Sequence, residues 1–451
     1  MATRNRIAFP EKQAVLLWQQ MVGQELTSSQ HGPLSVIYPG RANDDSGPDF
    51  RDAVIESASG VTKGDVEVHV NSGDWYSHAH HTDAGYNNVI LHVVMWHDCN
   101  STTLLQSGNS IPVLCLAEAL HQQAYLLPYR LPCFHILNRV DKQALAEYLG
   151  MAGEERFKQK AIAFETRLRR EGAGQVLFSG IMRALGYAKN TQSFEELAGR
   201  MPLKALESAE GLDLKKALLL GTAGLLPSQR WQEERPNDGE ALKLERIWRS
   251  EGRQRETMTA DNWNLTHIYP NNSPVRRIMA QGHLLKRYRE EGLLAGMMRL
   301  VMQAPLTNGS RVLDDGLAVV NDGYWADHFD FGTTGKTRAS ALLGKSKAGE
   351  IIANVILPFA FCWGRSVDSP ALADKARELY HNRPGLPGNC ITRHMARQFG
   401  LEQPSGLTAC HQQGLLHIFR CHCREGRCSL CPIIRGARLR PPQLFPAASR
   451  C

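Results

Sequence analysis

The spacing of hydrophobic residues changes character along the chain. Glu11 to Gln24 carries Ala14, Leu17, Trp18 and Met21 on one helical face, which predicts an amphipathic helix. Short β-prone runs follow. Ser35-Val36-Ile37-Tyr38 stops at Pro39-Gly40, and a turn-rich stretch from Arg41 to Phe50 leads into Ala53-Val54-Ile55. The clearest alternation lies in Gly64-Asp65-Val66-Glu67-Val68-His69-Val70. Strand side chains point to alternate faces, so the valines take one side and Asp65, Glu67 and His69 the other. A polar segment, Asn71 to Asn88, precedes Val89-Ile90-Leu91-His92-Val93-Val94, which is apolar enough for a strand covered on both faces. The order α-β-β-β-(short α)-β predicts a mixed α/β domain over residues 1–130.

Pro128 and Pro132 mark a boundary, and residues 140–405 read as mainly helical. Helices are predicted over Glu154 to Arg170, Gly172 to Leu185, Phe194 to Arg200 and Leu214 to Leu225. Later ones are Ser340 to Leu343, Gly349 to Trp363, Ala371 to Tyr380 and Thr392 to Phe399. A last helix, Thr408 to Phe419, opens a third segment, 406–451. The most apolar stretch, Ile351 to Trp363, is interrupted by Asn354 and Pro358 and is shorter than the ~20 residues that span a bilayer, so no membrane partner is expected. The first residues lack the apolar core of a secretory signal, which predicts a cytoplasmic protein whose cysteines are thiols or metal ligands.

Composition adds little until it is localised. The 451 residues have a net charge of +7 and are 43% hydrophobic, which excludes a disordered or fibrous chain. Between Arg420 and Arg450, however, stand seven arginines and one acid, so six of the seven net charges lie there. Six of the 11 cysteines also fall in the last 42 residues. Cys421-x-Cys423-x4-Cys428-x2-Cys431, with Cys410 upstream, suits a tetrahedral Zn²⁺ or an iron–sulfur cluster, with any four of the five as ligands. Cys99, Cys115, Cys133, Cys362 and Cys390 read as buried or incidental. Arg420, Arg424, Arg427, Arg435, Arg438 and Arg440 flank the cysteines and are candidate phosphate contacts, the alternative being a merely solubilising tail.

In the first domain, Glu67 and His69 share a strand face about 7 Å apart at Cα, and Asp49 opens the preceding strand. Two carboxylates and an imidazole meeting at one point would hold Mg²⁺ or Mn²⁺. Such an ion polarises a phosphoryl oxygen and lowers the pKa of bound water. Asp49 as a cap of the turn after Pro48 is the plainer reading. His78, His80, His81 and Asp83 read as a polar loop, with zinc ligands or phosphate contacts as the alternatives. His92 reads as a hydrogen-bonded core residue unless it faces Glu67.

The strand order, with Gly47-Pro48-Asp49 at the second strand and Glu67-Val68-His69 on the third, resembles the PD-(D/E)XK nuclease superfamily. This resemblance implies a restriction-endonuclease-like core, with Asp49 and Glu67 as metal ligands and Glu11 as an auxiliary acid. His69 stands where that superfamily has lysine, and Lys63 is a candidate relocated lysine. Over nearly the whole chain the motifs also resemble an uncharacterised bacterial domain-of-unknown-function family. They include Asn43 with Asp45-Ser46-Gly47-Pro48-Asp49-Phe50, Asp74-Trp75, His78, His80, Leu185-Gly186-Tyr187 with Asn190, Arg276-Arg277-Ile278, Asn354-Val355-Ile356-Leu357-Pro358-Phe359 and Gln412-Gln413-Gly414-Leu415-Leu416. Asn43, Asp45, Asp74, His78, His80 and His92 are the candidates for supporting the centre. By the same resemblance Cys410, Cys423, Cys428 and Cys431 are the favoured ligands of Zn²⁺ or a [4Fe-4S] cluster.

The expectation is a metal-dependent nuclease acting on nucleic acid, DNA ahead of RNA. The alternative is an inactive nucleic-acid-binding or assembly protein that keeps the nuclease-like fold.

Overall fold

In the computed structural model the described residues are 10–28, 32–99, 102–122, 133, 142–187, 189–230, 238–252, 255–265, 272–320, 323–335, 341–401 and 406–439. The chain forms two compact units. One comprises Met1–Gly153, Gly388–Gly406 and His411–Cys451; the other comprises Glu154–Pro387 and Leu407–Cys410. This differs from the division into 1–130, 140–405 and 406–451, because the cysteine-bearing segment folds with the N-terminal residues.

The first unit begins with α1 (Glu11–Gln19) and then builds a mixed sheet from β1 (Glu25–Ser28), β2 (Gly32–Tyr38), β3 (Arg41–Ala42), β4 (Phe50–Ser57), β5 (Gly60–Asn71), β6 (Val89–Trp96) and β9 (Val113–Cys115). The short α2 (Asp74–Ser77) separates β5 from β6, a small hairpin of β7 (Thr103–Leu104) and β8 (Ser110–Ile111) precedes β9, and α3 (Leu116–Gln122) follows it. The sheet order is β1-β2-β4-β5-β6-β9, with β3 paired to β4. β2, β4 and β5 run antiparallel, whereas β6 and β9 lie parallel to β5.

The mixed sheet thus carries the four expected strands, with β1, β3 and β9 as additions. β1, Glu-Leu-Thr-Ser, lacks an apolar run, and β3 and β9, of two and three residues, are too short to mark a strand in sequence. Ala14 and Trp18 of α1 are fully buried in one core with Val66 and Val68 of β5, each valine contributing roughly 1.5–3 kcal/mol by leaving water. The opposite face of β5 is also buried. Asp65, Glu67 and His69 are 3%, 5% and 1% exposed, where a solvated polar stripe would be open. Gly64 permits this strand pairing, since a Cβ there would stand 2.4 Å from Ile90 Cγ2 and 2.5 Å from the Asn88 carbonyl.

The second unit is mainly helical. Helices Ala173–Leu185, Thr191–Arg200, Leu212–Thr222, Pro274–Arg287, Leu293–Gln303, Leu357–Ser366 and Pro370–His381 surround one apolar core. The helix expected from Glu154 starts earlier and spans Lys142–Leu168. Where a helix is expected over Ser340 to Leu343, the described residues Ala341–Leu343 form a strand paired with Val319–Val320, a case where a three-residue apolar run carries no period. Among the described residues, no helix is long and apolar enough to cross a membrane.

Candidate functional site

Asp49 and Glu67 meet through the backbone. The Asp49 amide donates to Glu67 Oε2 at 2.9 Å, and Asp49 Oδ2 accepts from the Val68 amide at 3.1 Å. The loop before Asp49 is held by Asn43, whose Nδ2 donates to the carbonyls of Asp45 and Pro48, both at 3.0 Å, and by Gly47, whose φ of 102° favours glycine. Burial and the neighbouring Glu67 raise the Asp49 pKa from 3.8 to about 7.

The histidines complete the cluster. Glu67 Oε1 lies 3.4 Å from His69 Nε2 and 3.2 Å from His80 Nε2, and His69 Nε2 lies 3.2 Å from His78 Nδ1. Behind them His92 Nε2 meets His69 Nδ1 at 2.9 Å, and His92 Nδ1 lies 3.4 Å from Thr103 Oγ1. His92 is the register partner of Glu67 across the parallel β5–β6 pair, so it belongs to the polar cluster rather than to the apolar core. Trp75 packs against His80 and His92, and Tyr86 stacks on His80 with ring centroids 3.9 Å apart. Burial, then the neighbouring imidazoles, lower His69 to about 2 and His92 to about 3, so both rings are neutral at ordinary pH.

Other expected residues serve the frame. Glu11 is exposed at the start of α1, and its charge contributes to raising Asp49. Lys63 does not join the carboxylates: its Nζ pairs with Glu425 at 2.5 Å. Asp45 caps the Ser46 amide, and Asp74 accepts from the Asn71 amide, each at 2.9 Å. Arg51 is taken up by Asp65 at 2.6 Å.

A second cluster joins cysteines distant in sequence. Cys133, Cys423, Cys428 and Cys431 line one small cavity with Tyr38, Gln398, Phe399, His422 and Ile434. Gln398 Nε2 donates toward Cys133 Sγ at 3.5 Å and Cys423 Sγ at 3.8 Å. Burial, with added repulsion among the sulfurs, raises the thiol pKa values, to about 11 for Cys133. Cys410 does not line this cavity; it lies in the helical unit, with Tyr380 as hydrogen-bond partner. Cys421 faces His417 instead. Cys133 was legible in sequence only as an isolated thiol, because nothing in a linear reading brings it to residues some 290 positions later. Arg420, Arg424, Arg427 and Arg435 are exposed around the cluster, with Arg424 Nε 3.6 Å from Asp52 Oδ1. The Arg438 side chain and all of Arg440 lie outside the described residues.

The fold is thus a mixed-sheet unit carrying a carboxylate–imidazole cluster and a four-thiol cluster, with most of the helical unit lying in the chain between that unit's N-terminal and C-terminal segments. Residues 11–385 match the family described as "Protein of unknown function (DUF2851)", and the chain belongs to that family. No curated protein and no solved structure matches it.

Proposed function

We propose that the chain is a divalent-metal-dependent, nuclease-like protein that hydrolyses phosphodiester bonds of nucleic acid, DNA ahead of RNA, in the cytoplasm. Its sheet unit would be a restriction-endonuclease-like core of PD-(D/E)XK type. The observation that carries the reading is the half-buried Asp49, just before β4, beside the buried Glu67 on β5, with the nearby Arg51 already taken up by Asp65. Paired buried carboxylates are costly without a cation and fit one well. Asp49 and Glu67 would hold Mg²⁺ or Mn²⁺, which when bound supplies polarisation of a phosphoryl oxygen and a water of lowered pKa. His69, kept neutral by burial, would orient water through Nε2 rather than act as a strong base. Arg420, Arg424, Arg427 and Arg435 would contact backbone phosphates.

The thiols of Cys133, Cys423, Cys428 and Cys431 would hold Zn²⁺ or a [4Fe-4S] cluster, with Cys133 in the place first assigned to Cys410. Metal analysis tests this: Cys133→Ser should lose the bound metal and Cys410→Ser should keep it. Visible absorbance with iron and sulfide would mark a cluster, and a colourless zinc protein would reject one.

The functional test is cleavage of single-stranded, duplex and branched DNA and RNA with Mg²⁺ or Mn²⁺, comparing wild type with Glu67→Ala. Cleavage by wild type alone is expected, and no cleavage of any substrate by wild type would overturn the reading. A nucleic-acid-binding protein without catalysis is the second reading, favoured by His69 standing where that superfamily has lysine. It requires salt-sensitive binding that survives Asp49→Ala and weakens when the exposed arginines are neutralised.

A further inference from the structure

Three imidazoles beside Glu67, those of His69, His78 and His80, stand close enough together to hold one metal ion. Zinc–nitrogen and zinc–oxygen bonds of about 2.0–2.1 Å place neighbouring ligands about 3.3–3.4 Å apart along a tetrahedron's edge. Three such edges stand in the structure: Glu67 Oε1 to His69 Nε2 at 3.4 Å, Glu67 Oε1 to His80 Nε2 at 3.2 Å and His69 Nε2 to His78 Nδ1 at 3.2 Å. Donor atoms of His69, His78 and His80 all lie within 4.8 Å of one another.

We infer that Glu67, His69, His78 and His80 form a site for a zinc-class transition-metal ion, distinct in donor set and chemistry from a magnesium site.

Glu67 divides its two oxygens: Oε2 accepts from the Asp49 amide, leaving Oε1 for the ion. His80 is 9% exposed, and its buried Nε2 has no hydrogen-bond partner although Glu67 Oε1 is near, so its lone pair is not spent. Ala79 between the two loop histidines holds φ at 60°, an uncommon conformation for a residue with a Cβ, and this turn directs His78 and His80 toward the same point. The outer groups fit as well. With Nε2 of His69 on the ion, Nδ1 carries the proton and donates to His92 Nε2, leaving His92 Nδ1–H to face Thr103 Oγ1. This is the usual way a ligating histidine is oriented from behind. Imidazole nitrogens suit zinc, whereas Mg²⁺ takes oxygen ligands in an octahedron and dehydrates reluctantly.

This ion would share Glu67 with the centre proposed above and would take up the His69 Nε2 that there orients water, but its binding does not require that a phosphodiester be the substrate. The test uses the full chain with Cys428→Ser as background, so that the thiol cluster does not obscure the reading. The chelator-stripped protein is titrated with Zn²⁺ by calorimetry and with Co²⁺ as a visible-spectrum probe. One equivalent is expected, with a tetrahedral Co²⁺ spectrum free of thiolate charge-transfer bands. His78→Ala removes an exposed ligand and is expected to weaken Zn²⁺ binding more than ~100-fold while the thermal unfolding of the stripped protein is unchanged; His92→Gln, acting from behind His69, should cost ~10–100-fold. Unchanged Zn²⁺ affinity in His78→Ala, or an octahedral Co²⁺ spectrum, would overturn the site. Zinc bound as expected with no cleavage of any nucleic acid would overturn the nuclease reading and leave this site standing.

Discussion

Arg276 and Arg277 in the helical unit, and Asp49 and Glu67 in the sheet unit, are charged side chains withdrawn from water in very different company. Arg276 is fully buried, and Nη1 donates to the Trp325 carbonyl at 2.6 Å and the His328 carbonyl at 2.5 Å, with Nη2 reaching the Ala341 carbonyl at 3.2 Å. Arg277 donates to the Leu342 carbonyl at 2.6 Å, and to Tyr187 Oη and Asn272 Oδ1 at 2.7 Å each. These guanidinium groups tie strands and loops that would otherwise leave carbonyls unpaired. Asp49 and Glu67 instead lie beside each other, with the neutral imidazole of His69 next to Glu67, so two acids are brought together. The first arrangement is what stability requires; the second costs stability and has the character of a functional site.

The largest effect that would test this contrast is expected at the arginines. Arg276→Met or Arg277→Met should lose at least ~3 kcal/mol in urea unfolding, since several buried acceptors are orphaned at once. A loss under ~1 kcal/mol would mean that the carbonyls are satisfied otherwise. Next, Mn²⁺ or Zn²⁺ at about 100 times its dissociation constant should stabilise wild type by ~2.7 kcal/mol, read as a rise in melting temperature, and Glu67→Gln should abolish most of it.

In the stripped protein Asp49→Asn should be as stable as wild type or more so, by ~1–2 kcal/mol at pH 7.5. The pH profile sharpens this. Asp49 binds its proton more tightly folded than unfolded, its pKa rising from 3.8 to about 7, so its contribution is present below about pH 4 and is lost as pH rises through 7. His69 and His92, lowered from 6.5 to about 2 and 3, act oppositely: their contribution is present above pH 6.5 and is lost as pH falls. The stability gained by Asp49→Asn over wild type should therefore widen from pH 4 to 7 and stay level above it. A difference independent of pH would place the Asp49 proton elsewhere. The smallest effect is expected at Lys63→Ala, under ~1 kcal/mol and with metal binding intact, because its pair with Glu425 is partly exposed.

Much of the sheet was legible in advance. The alternation of valines with Asp65, Glu67 and His69 specified β5 and its polar face, because period two leaves little freedom once one face is apolar. The motifs Leu185-Gly186-Tyr187, Asn190 and Arg276-Arg277 stood out as patterns, yet their role emerges only from contacts. Asn190 holds the Asn264 backbone through both amide atoms, and Tyr187 accepts from Arg277. Lys63 shares the strand face of Glu67, yet four residues along β5 from Glu67 its Nζ pairs with a different acid, Glu425.

Local order alone marked most of the strands and helices, and put Glu67 and His69 on one face of β5, because those properties depend on neighbours a few residues apart. Folding decided the rest. It chose Cys133 over Cys410 for the thiol cavity, brought His80 back onto Glu67 and His78 onto His69, and set His92 behind His69. These are meetings between residues separated by loops or by most of the chain, and the packing that enforces them leaves no periodic trace in sequence.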